Sequence, residues 1–440
     1  MKKFFLVAAG TALLALLLGA VALGVAAQRD EGWRQRVETV PLLVRTQLRA
    51  VRPAPELPTP PPADPEQRAS LLGETESAPL LPSPTLARPL VVEVAATATT
   101  APIGEAVAPL PEPTATSPPS PTPAASPTPL PAEVALSGVR HAYQLWNNCG
   151  PVTIAMNLSY YDVDRDQREA AEILKPDQDD KNVSPKQLVD YAEREGFRGM
   201  IRVGGTVEIL QRLISNGYPV IVEDWMEPED RGGIGHYRLF TGYTPGYDGG
   251  ALIAQDSYYG PDREMAVESF DANWRVFNRK YIVIFPAEEE ATVRALLGPM
   301  VDDGTMLAHA LEVARQEAQA DPHDVFAWFN LGSTYTRLGD YTSAAAAFDE
   351  ARRLGLPFRM FWYQFEPFEA YLGVGRYQDV IDLAQATVAS TGAHEEAYTY
   401  QGLAHQARGE LSAARRLFHK ALEYNPYYRR AELALAALEE

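Results

Sequence analysis

The chain has 440 residues, enough for two or three domains, and its composition changes sharply along its length. Of its 36 prolines, 22 lie between Pro53 and Pro131. The formal net charge of −19 disfavours nucleic acid as a partner, because phosphate binding requires a basic surface. We therefore expect no nucleic-acid partner and take the acidic balance mainly as a source of solubility.

The N-terminal residues 1–27 read as a signal peptide or a membrane anchor. Two lysines precede an uncharged apolar stretch from Phe4 to Ala27. The apolar part of a signal peptide has roughly 7–15 residues, whereas a membrane-spanning helix needs about 20. The length favours an anchor whose lysine end stays in the cytoplasm. We expect a single-pass cell-membrane protein with extracytoplasmic C-terminal domains, or a secreted one if cleavage follows Ala27.

Residues 28–138 are expected to be a juxtamembrane segment followed by a disordered linker rich in Pro, Ser and Thr. Such a sequence has few apolar side chains to bury and favours extended polyproline geometry. At about 3.1 Å per residue, the stretch between Pro53 and Pro131 would hold the globular part up to roughly 250 Å from the membrane. We interpret it as a spacer, with Ser/Thr glycosylation or passage through a cell wall as the alternative.

Residues 139–290 have the pattern of a globular α+β domain. Helices are predicted over 151–161, from Ser184 to Glu195 and over 206–215; Ser184 with Gln187 forms a capping box, and Asn216-Gly217 ends the third helix. Runs typical of strands follow at Pro219–Val222, Tyr237–Tyr243, Ala251–Ala254 and Lys280–Phe285. Helices first and antiparallel strands afterwards predict an α+β fold.

Residues 300–440 are helical and repetitive. Trp328, Gly332, Phe348 and Ala351 fall at the spacing of one tetratricopeptide unit, and the same register returns with Tyr398, Gly402, Phe418 and Ala421. Tyr371 marks a weaker unit between them, 305–319 a leading half-unit, and 427–440 a closing helix. The array resembles tetratricopeptide repeats, an all-α solenoid, which implies a protein partner.

Three glycines mark the period of this array. Gly339, Gly375 and Gly409 are spaced by 36 and 34 residues, close to the tetratricopeptide period of about 34. We expect small residues at these points to let paired helices approach closely. Phe348 and Phe418 are expected to fill the gap between neighbouring helices.

The chemistry-bearing residues centre on Cys149, the one cysteine in the sequence. It follows Gln144 by five positions and directly precedes Gly150-Pro151, the predicted start of a helix. His236 and Asp256 come later in the chain. Glutamine, cysteine, histidine and aspartate in this order are the components of a papain-like thiol hydrolase.

Each of these four residues has an expected role in acyl transfer. The positive end of the helix and a neighbouring imidazolium would lower the pKa of Cys149 and so favour the nucleophilic thiolate. His236 would protonate the leaving amine, and Asp256 would fix its tautomer. The side-chain amide of Gln144, with the Cys149 backbone N–H, would stabilise the oxyanion; one such donor contributes about 10²–10³ in rate.

These motifs resemble the papain-like double-glycine leader peptidases, found on bacteriocin ABC transporters and as stand-alone relatives. The resemblance covers residues 139–286 and implies a papain-like fold, a peptide substrate, and the family's four roles for Gln144, Cys149, His236 and Asp256. We see neither several spanning helices nor a phosphate-binding loop, so leader cleavage at a double glycine is not implied. The expectation is a cysteine peptidase that needs no cofactor and no metal.

Other interpretations remain open. Cys149 alone fits a small buried apolar residue, His236 a structural histidine, and Asp256 a turn residue. At the level of function, the alternatives are a catalytically silent peptide-binding scaffold and a transamidase with the same Cys–His apparatus. Asp162-x-Asp164-x-Asp166 imitates a calcium loop, but its sixth and twelfth positions lack the required Gly and Glu. We expect Asp166 and Glu169 to cap a helix instead.

Overall fold

The computed structural model describes residues 57–73, 130–227, 233–246, 249–392 and 394–439. The predicted anchor at 1–27 and most of the predicted linker at 28–138 lie outside these ranges. Within them, no helix combines the length and apolar character needed to cross a membrane. All described residues except Leu130 belong to one compact unit.

The first part of the described chain combines helices with an antiparallel sheet, and the predicted mixed fold class is confirmed. Its helices are α1 (Pro65–Leu71), α2 (Cys149–Tyr160), α3 (Gln167–Leu174), α4 (Pro185–Arg194), α5 (Val207–Ser215) and α6 (Val267–Trp274). Its strands are β1 (Val134–Ala135), β2 (Phe197–Arg202), β3 (Val220–Met226), β4 (Ile234–Thr244), β5 (Ala251–Asp256), β6 (Gly260–Ala266) and β7 (Tyr281–Pro286).

The sheet has seven strands in the order β2-β7-β3-β4-β5-β6, and β1 also pairs with β4. Strand β4 lies between β3 and β5, and both pairings are antiparallel. Because the two strands are antiparallel, the beginning of β4 lies next to the end of β5. This arrangement brings His236, near the start of β4, close to Asp256, the last residue of β5.

Helix termini follow the capping signals in the sequence. Ser184 and Gln187 form a capping box at α4, and Thr206 caps α5 by accepting from the Ile209 backbone N–H. Asp166 and Glu169 form a second capping box at α3, as predicted in place of a calcium loop. These side chains satisfy backbone donors that the first helical turn leaves unpaired.

The second part is helical. It contains α7 (Glu290–Leu297), α8 (Asp303–Ala320), α9 (Val325–Leu338), α10 (Tyr341–Arg353), α11 (Glu366–Gly373), α12 (Tyr377–Thr391), α13 (Glu395–Ala407), α14 (Leu411–Tyr424) and α15 (Arg429–Ala436). Short 3-10 turns lie at Arg275–Phe277, Ala287–Glu289, Gly298–Val301 and Phe358–Trp362. The predicted all-α arrangement of this region is confirmed.

The close approach of paired helices occurs at other glycines than predicted. A Cβ on Gly332 would lie 2.6 Å from the Phe348 ring, and one on Gly402 would lie 2.4 Å from the Phe418 ring. Gly339 and Gly409 instead end helices in the left-handed region, with φ of 82° and 78°, and have open space where a Cβ would stand. The repeating glycines therefore serve as helix ends, because glycine adopts positive φ without steric cost.

The sheet domain and the helical region share side-chain packing. Trp225 of β3 and Phe277 belong to the same buried cluster as Trp328 of α9. The Asn330 side chain donates to the Arg275 carbonyl at 2.7 Å, and the Asn278 side chain donates to Thr334 Oγ1 at 3.0 Å. The helices thus contact the sheet domain directly.

Residues 57–73, which we call the strap, differ from the prediction of a disordered linker. They contain α1 and lie against the helical region, with Leu71 and Leu72 each only 4% exposed. Val134–Ala135, also within the predicted linker, pairs with β4. The strap is ordered because Asp64 caps its helix and because Leu71 and Leu72 can be buried. The prediction of disorder was based on the Pro-rich composition of the whole region and did not consider these local features.

Candidate functional site

Cys149 is the first residue of α2, so its sulfur lies at the positive end of a helix twelve residues long. It is partly buried. The side chain of Gln167 holds the preceding loop: it donates to the Tyr143 carbonyl at 2.8 Å and accepts from the Leu145 backbone N–H at 2.7 Å and Asn148 Nδ2 at 3.0 Å. A buried glutamine thus fixes the turn that leads into the thiol.

Cys149, His236 and Asp256 form one hydrogen-bonded chain. His236 Nε2 lies 3.2 Å from Asp256 Oδ1, and the His236 ring is hydrogen-bonded to the Cys149 sulfur. Since Nε2 faces the carboxylate, Nδ1 is the ring nitrogen left for the sulfur. His236 is 2% exposed and Asp256 1% exposed.

The Asp256 carboxylate is held by several donors. Its Oδ1 accepts the backbone N–H groups of Tyr258 at 2.7 Å and Tyr259 at 2.9 Å, and its Oδ2 accepts from Arg238 Nε at 2.7 Å. Burial alone would raise the pKa of Asp256, but the charge and hydrogen bond of His236, the charge of Arg238 and the backbone donors hold it well below its usual range. The carboxylate therefore stays ionised beside the imidazole.

The same chain determines the charges of the thiol and the imidazole. Burial opposes ionisation of Cys149, but the hydrogen bond and charge of His236, the Tyr237 backbone N–H and the charge of Lys175 lower its pKa overall. Burial also opposes protonation of His236, but Asp256 and Cys149 raise its pKa to about 10. At neutral pH these directions favour a thiolate–imidazolium pair.

Gln144 lies beside this chain. Its backbone N–H donates to the Ser257 carbonyl at 2.9 Å, and its side-chain Oε1 accepts from Ser257 Oγ at 2.9 Å. Because the oxygen is used as an acceptor, the two N–H groups of the amide are the ones available to donate. His141 contacts the Asp256 carbonyl at 2.9 Å through Nε2.

Arg238 and Asp224 are buried site residues that sequence reasoning missed. Arg238 contacts Asp256 with Nε and Asp224 with Nη1, and the two residues are 4% and 0% exposed. Arg238 follows His236 by two positions on β4, so the two side chains lie on one face of the strand. The alternation of side chains along β4 could have predicted that Arg238 lies on the same face as His236. The position of Asp224 could not be predicted in this way, because it depends on β3 being the neighbour of β4.

The helical region reaches the site through the turn before His236. Arg359 Nη1 donates to the Gly233 carbonyl at 3.1 Å. The Tyr363 ring lies so close to Gly235 that a Cβ there would come within 3.0 Å of it. Burial raises the pKa of Tyr363, and the charge of Cys149 raises it further, which places the tyrosine within electrostatic range of the thiol. Residues of the helical region therefore help to form the surroundings of the site.

A buried polar network joins the two regions on the side of Lys175. Asn182 Nδ2 donates to Glu396 Oε1 at 2.8 Å, and His394 Nδ1 lies 3.1 Å from Glu396 Oε2. Burial and the charge of Glu396 raise the pKa of Asp180 to about 6. Burial lowers the pKa of Lys175, although the charges of Asp180 and Cys149 oppose this. Through Lys175, this network influences the charge state of the Cys149 thiol.

Among the described residues, no group of three or more His, Cys, Asp and Glu side chains is arranged to hold a metal ion. The arrangement of Cys149, His236 and Asp256 can supply a nucleophile, a proton donor and an anionic partner for that donor. The backbone N–H of Cys149, at the start of α2, is a donor next to the sulfur, and the Gln144 amide lies beside Ser257, the residue after Asp256.

Two family models match the chain. Residues 136–282 match the Peptidase_C39 like family, and residues 325–355 match the tetratricopeptide repeat. The chain resembles a C39-like peptidase domain followed by tetratricopeptide repeats. The resemblance predicted from the sequence is thereby confirmed. No curated protein matches the chain.

Several solved structures are also similar to parts of the chain. A Bacillus anthracis protein described as a C39-like peptidase aligns at 18% identity over 34% of this chain and 96% of its own, with a TM-score of 0.28. The peptidase domain of Streptococcus ComA, a bifunctional ABC transporter, aligns at 18% identity over 34% of this chain and 98% of its own, with a TM-score of 0.26. MamA aligns at 21% identity over 31% of this chain and 78% of its own, with a TM-score of 0.27.

Proposed function

We propose that the sheet domain is a cysteine peptidase in which Cys149 is the nucleophile. The observation that carries the proposal is the hydrogen-bonded chain from the Cys149 sulfur through His236 to Asp256, at the N-terminus of a helix. A cysteine with a purely structural role does not require a buried imidazole next to it and a carboxylate next to that imidazole. A lowered thiol pKa beside a protonated imidazole is the condition for attack on an amide carbonyl.

The proposed reaction has two halves. The Cys149 thiolate forms an S–C bond to the scissile carbonyl carbon, while Gln144 and the Cys149 backbone N–H donate to the oxyanion. The C–N bond then breaks, and the His236 imidazolium gives its proton to the leaving amine. A water molecule, deprotonated by His236, attacks the thioester, and the C–S bond breaks to return the thiolate and release the acid. Asp256 keeps the ring oriented and stabilises its charged form throughout.

The location and the partner belong to the same proposal. The apolar stretch from Phe4 to Ala27, if it remains in the chain, would hold the enzyme at the cell membrane with its peptidase domain outside. If the stretch is cleaved, the protein is secreted. The tetratricopeptide repeats would bind a protein or peptide partner, which is the function typical of that architecture.

The test compares peptide processing by the purified full chain and by the Cys149→Ala variant. Each protein is incubated with a proteome-derived peptide library, and new termini are detected by mass spectrometry. We expect cleavage by the wild type, none by Cys149→Ala, and a strong decrease for Asp256→Asn. Cleavage that persists in Cys149→Ala would disprove the assignment.

Two further outcomes separate the remaining functions. Acyl transfer to an added primary amine in preference to water would identify a transamidase. Peptide binding without any Cys149-dependent product would identify a silent binding module. Either result would replace the peptidase proposal.

A further inference from the structure

The strap packs onto three helices of the repeat region. Its helix α1 is capped by Asp64, which accepts from the backbone N–H groups of Glu66 and Gln67. Leu71, the last residue of α1, and Leu72 lie in the buried cluster that also contains Ala314 and Ala318 of α8. Only these two strap leucines are fully buried, and Leu57 is partly buried against the same cluster.

Side chains of α8 and α10 satisfy the carbonyl groups at both ends of the strap. Arg315 Nε donates to the Leu71 carbonyl at 3.3 Å, and Gln319 Nε2 donates to the Leu72 carbonyl. At the other end, Arg352 Nη2 donates to the Pro58 carbonyl. The groove therefore recognises the backbone of a short helix and the segment before it, in addition to its apolar side chains.

Arg68 provides the contact at the centre of the strap. Its Nη2 donates to the Pro322 carbonyl at 3.1 Å, and its Nε lies 3.6 Å from Glu350 Oε1. Its guanidinium also lies over the Trp328 ring, 5.5 Å from the centroid. An arginine is suited to this combination of a carbonyl, a carboxylate and an aromatic face.

The size of the strap indicates how firmly it is held. A helix of seven residues is too short to be stable in water by itself, so α1 depends on the groove for its structure. A tether to the same molecule keeps the segment at a high effective concentration near the groove. Folding of α1 coupled to its docking, with two leucines as anchors, is the way in which a short amphipathic helix binds in a groove.

We propose that α8, α9 and α10 form a helix-binding groove whose resident ligand is the strap. A protein partner of this site would carry a short helix of the same chemistry: an Asp-Pro start, an arginine one turn later and a pair of leucines. Such a partner has to displace the strap. This inference does not depend on the peptidase activity.

The experiment frees the groove in the full chain and supplies the strap in trans. The double variant Leu71→Asp/Leu72→Asp loses the anchors, and the matched control Leu80→Asp/Leu81→Asp changes a leucine pair outside the strap by the same charge. A fluorescent peptide of residues 57–73 is titrated into each protein. We expect it to bind the strap variant at least tenfold more tightly than the wild type or the control, since those grooves are occupied. A peptide with both leucines replaced by aspartate should bind none of them.

A second measurement keeps the test independent of the folding of that variant. In the wild type, amide hydrogen exchange over Gln67–Leu72 should be faster than over the core of α9, and an excess of isotopically labelled strap peptide should accelerate it further. Exchange as slow as in α9 and unaffected by the peptide would mean that the strap is a permanent part of the fold. That result, or equal binding of the peptide to all three proteins, would overturn the proposal.

Discussion

At the scale of single residues, the site depends on the charges of Cys149, His236 and Asp256, which stabilise one another away from bulk solvent. Cys149 has a lowered pKa and His236 a pKa raised to about 10, although burial opposes both shifts. Between the lowered thiol pKa and about pH 10 the pair is therefore thiolate and imidazolium. Below that window the sulfur becomes protonated, and above it the ring loses its proton.

The first prediction concerns alkylation of Cys149 by iodoacetamide as a function of pH. In the wild type the alkylation rate should reach its plateau below pH 9.0, which is the ordinary pKa of a cysteine thiol. In His236→Gln the rate at pH 7 should fall about tenfold or more, since the partly buried thiol then loses the partner that favours its anion. His323→Gln is the control, because that side chain is 85% exposed. Identical profiles for wild type and His236→Gln would contradict the ion pair.

A second prediction concerns Arg238, whose guanidinium separates two buried carboxylates. Arg238→Gln leaves Asp224 and Asp256 without their shared counter-charge. Removing one member of a buried ionic group costs about 3–5 kcal/mol, which urea denaturation should detect. Arg263→Gln changes an exposed arginine on β6 and should stay within about 0.5 kcal/mol of wild type. Equal stability of the two variants would show that Arg238 is not the counter-ion we describe.

The sequence indicated four site residues because their order along the chain is itself a chemical pattern. Gln144, Cys149, His236 and Asp256 lie together in the structure. Asp224 was not predictable, since its position opposite His236 follows from the β3–β4 register. Gln167 was not predictable either, because its importance lies in three hydrogen bonds to a loop more than fifteen residues away.

At the scale of secondary-structure elements, two kinds of glycine support the repeats. Gly332 gives space to the Phe348 ring, whereas Gly339 ends α9 with a positive φ. The first is a packing requirement between helices and the second a requirement of the backbone alone. The two should respond differently to the same substitution.

The third prediction compares Gly332→Ala with Gly339→Ala. The Gly332 variant forces a methyl group to within 2.6 Å of the ring and should lose about 1–3 kcal/mol of unfolding free energy. Phe348→Leu should recover part of that loss. The Gly339 variant should lose about 1–2 kcal/mol from the left-handed conformation and gain nothing from Phe348→Leu. Thermal or urea unfolding measures each double-mutant cycle, and equal rescue at both positions would refute the distinction.

Local signals explain which elements were predictable. The caps at Ser184, Thr206 and Asp166 act within one helical turn, so the sequence alone specifies them. Strand β6 was missed because most of its side chains are exposed and polar, and it has no alternating apolar pattern. Strand β2 was missed because its short mixed sequence becomes a strand through pairing with β7.

At the scale of the whole molecule, buried ionisable groups join the sheet domain to the repeats. Asp180 faces Glu396, Lys175 and His394, and its charge also helps to raise the pKa of Glu395. A carboxyl group whose folded pKa is raised to about 6 contributes stability that is fully present below its ordinary value of 3.8. That contribution is lost as the pH rises through about 6.

The fourth prediction follows for Asp180→Asn. The wild type should lose thermal stability between about pH 4 and pH 7, and the variant should lose less, since the amide does not titrate. Differential scanning calorimetry at several pH values measures the melting temperatures. Asp164→Asn is the control, because the side chain is 95% exposed. A variant whose pH dependence equals that of the wild type would show that other groups govern this interface.

The two ends of residues 74–129 are fastened to one body: Gly73 ends the strap on the repeats, and Val134 pairs with β4. If the apolar stretch from Phe4 to Ala27 holds the chain at a membrane, as proposed, residues 74–129 add nothing to the distance between the membrane and the peptidase-like domain while the strap is in place. Under that proposal, the connection to the membrane would be residues 28–56, at most about 90 Å long at about 3.1 Å per residue, instead of the roughly 250 Å expected from the Pro-rich region. If the strap undocked, residues 28–133 would form one continuous connection of up to roughly 330 Å. In a membrane-attached protein, occupancy of this groove by the strap would thereby set how far from the membrane Cys149 can reach.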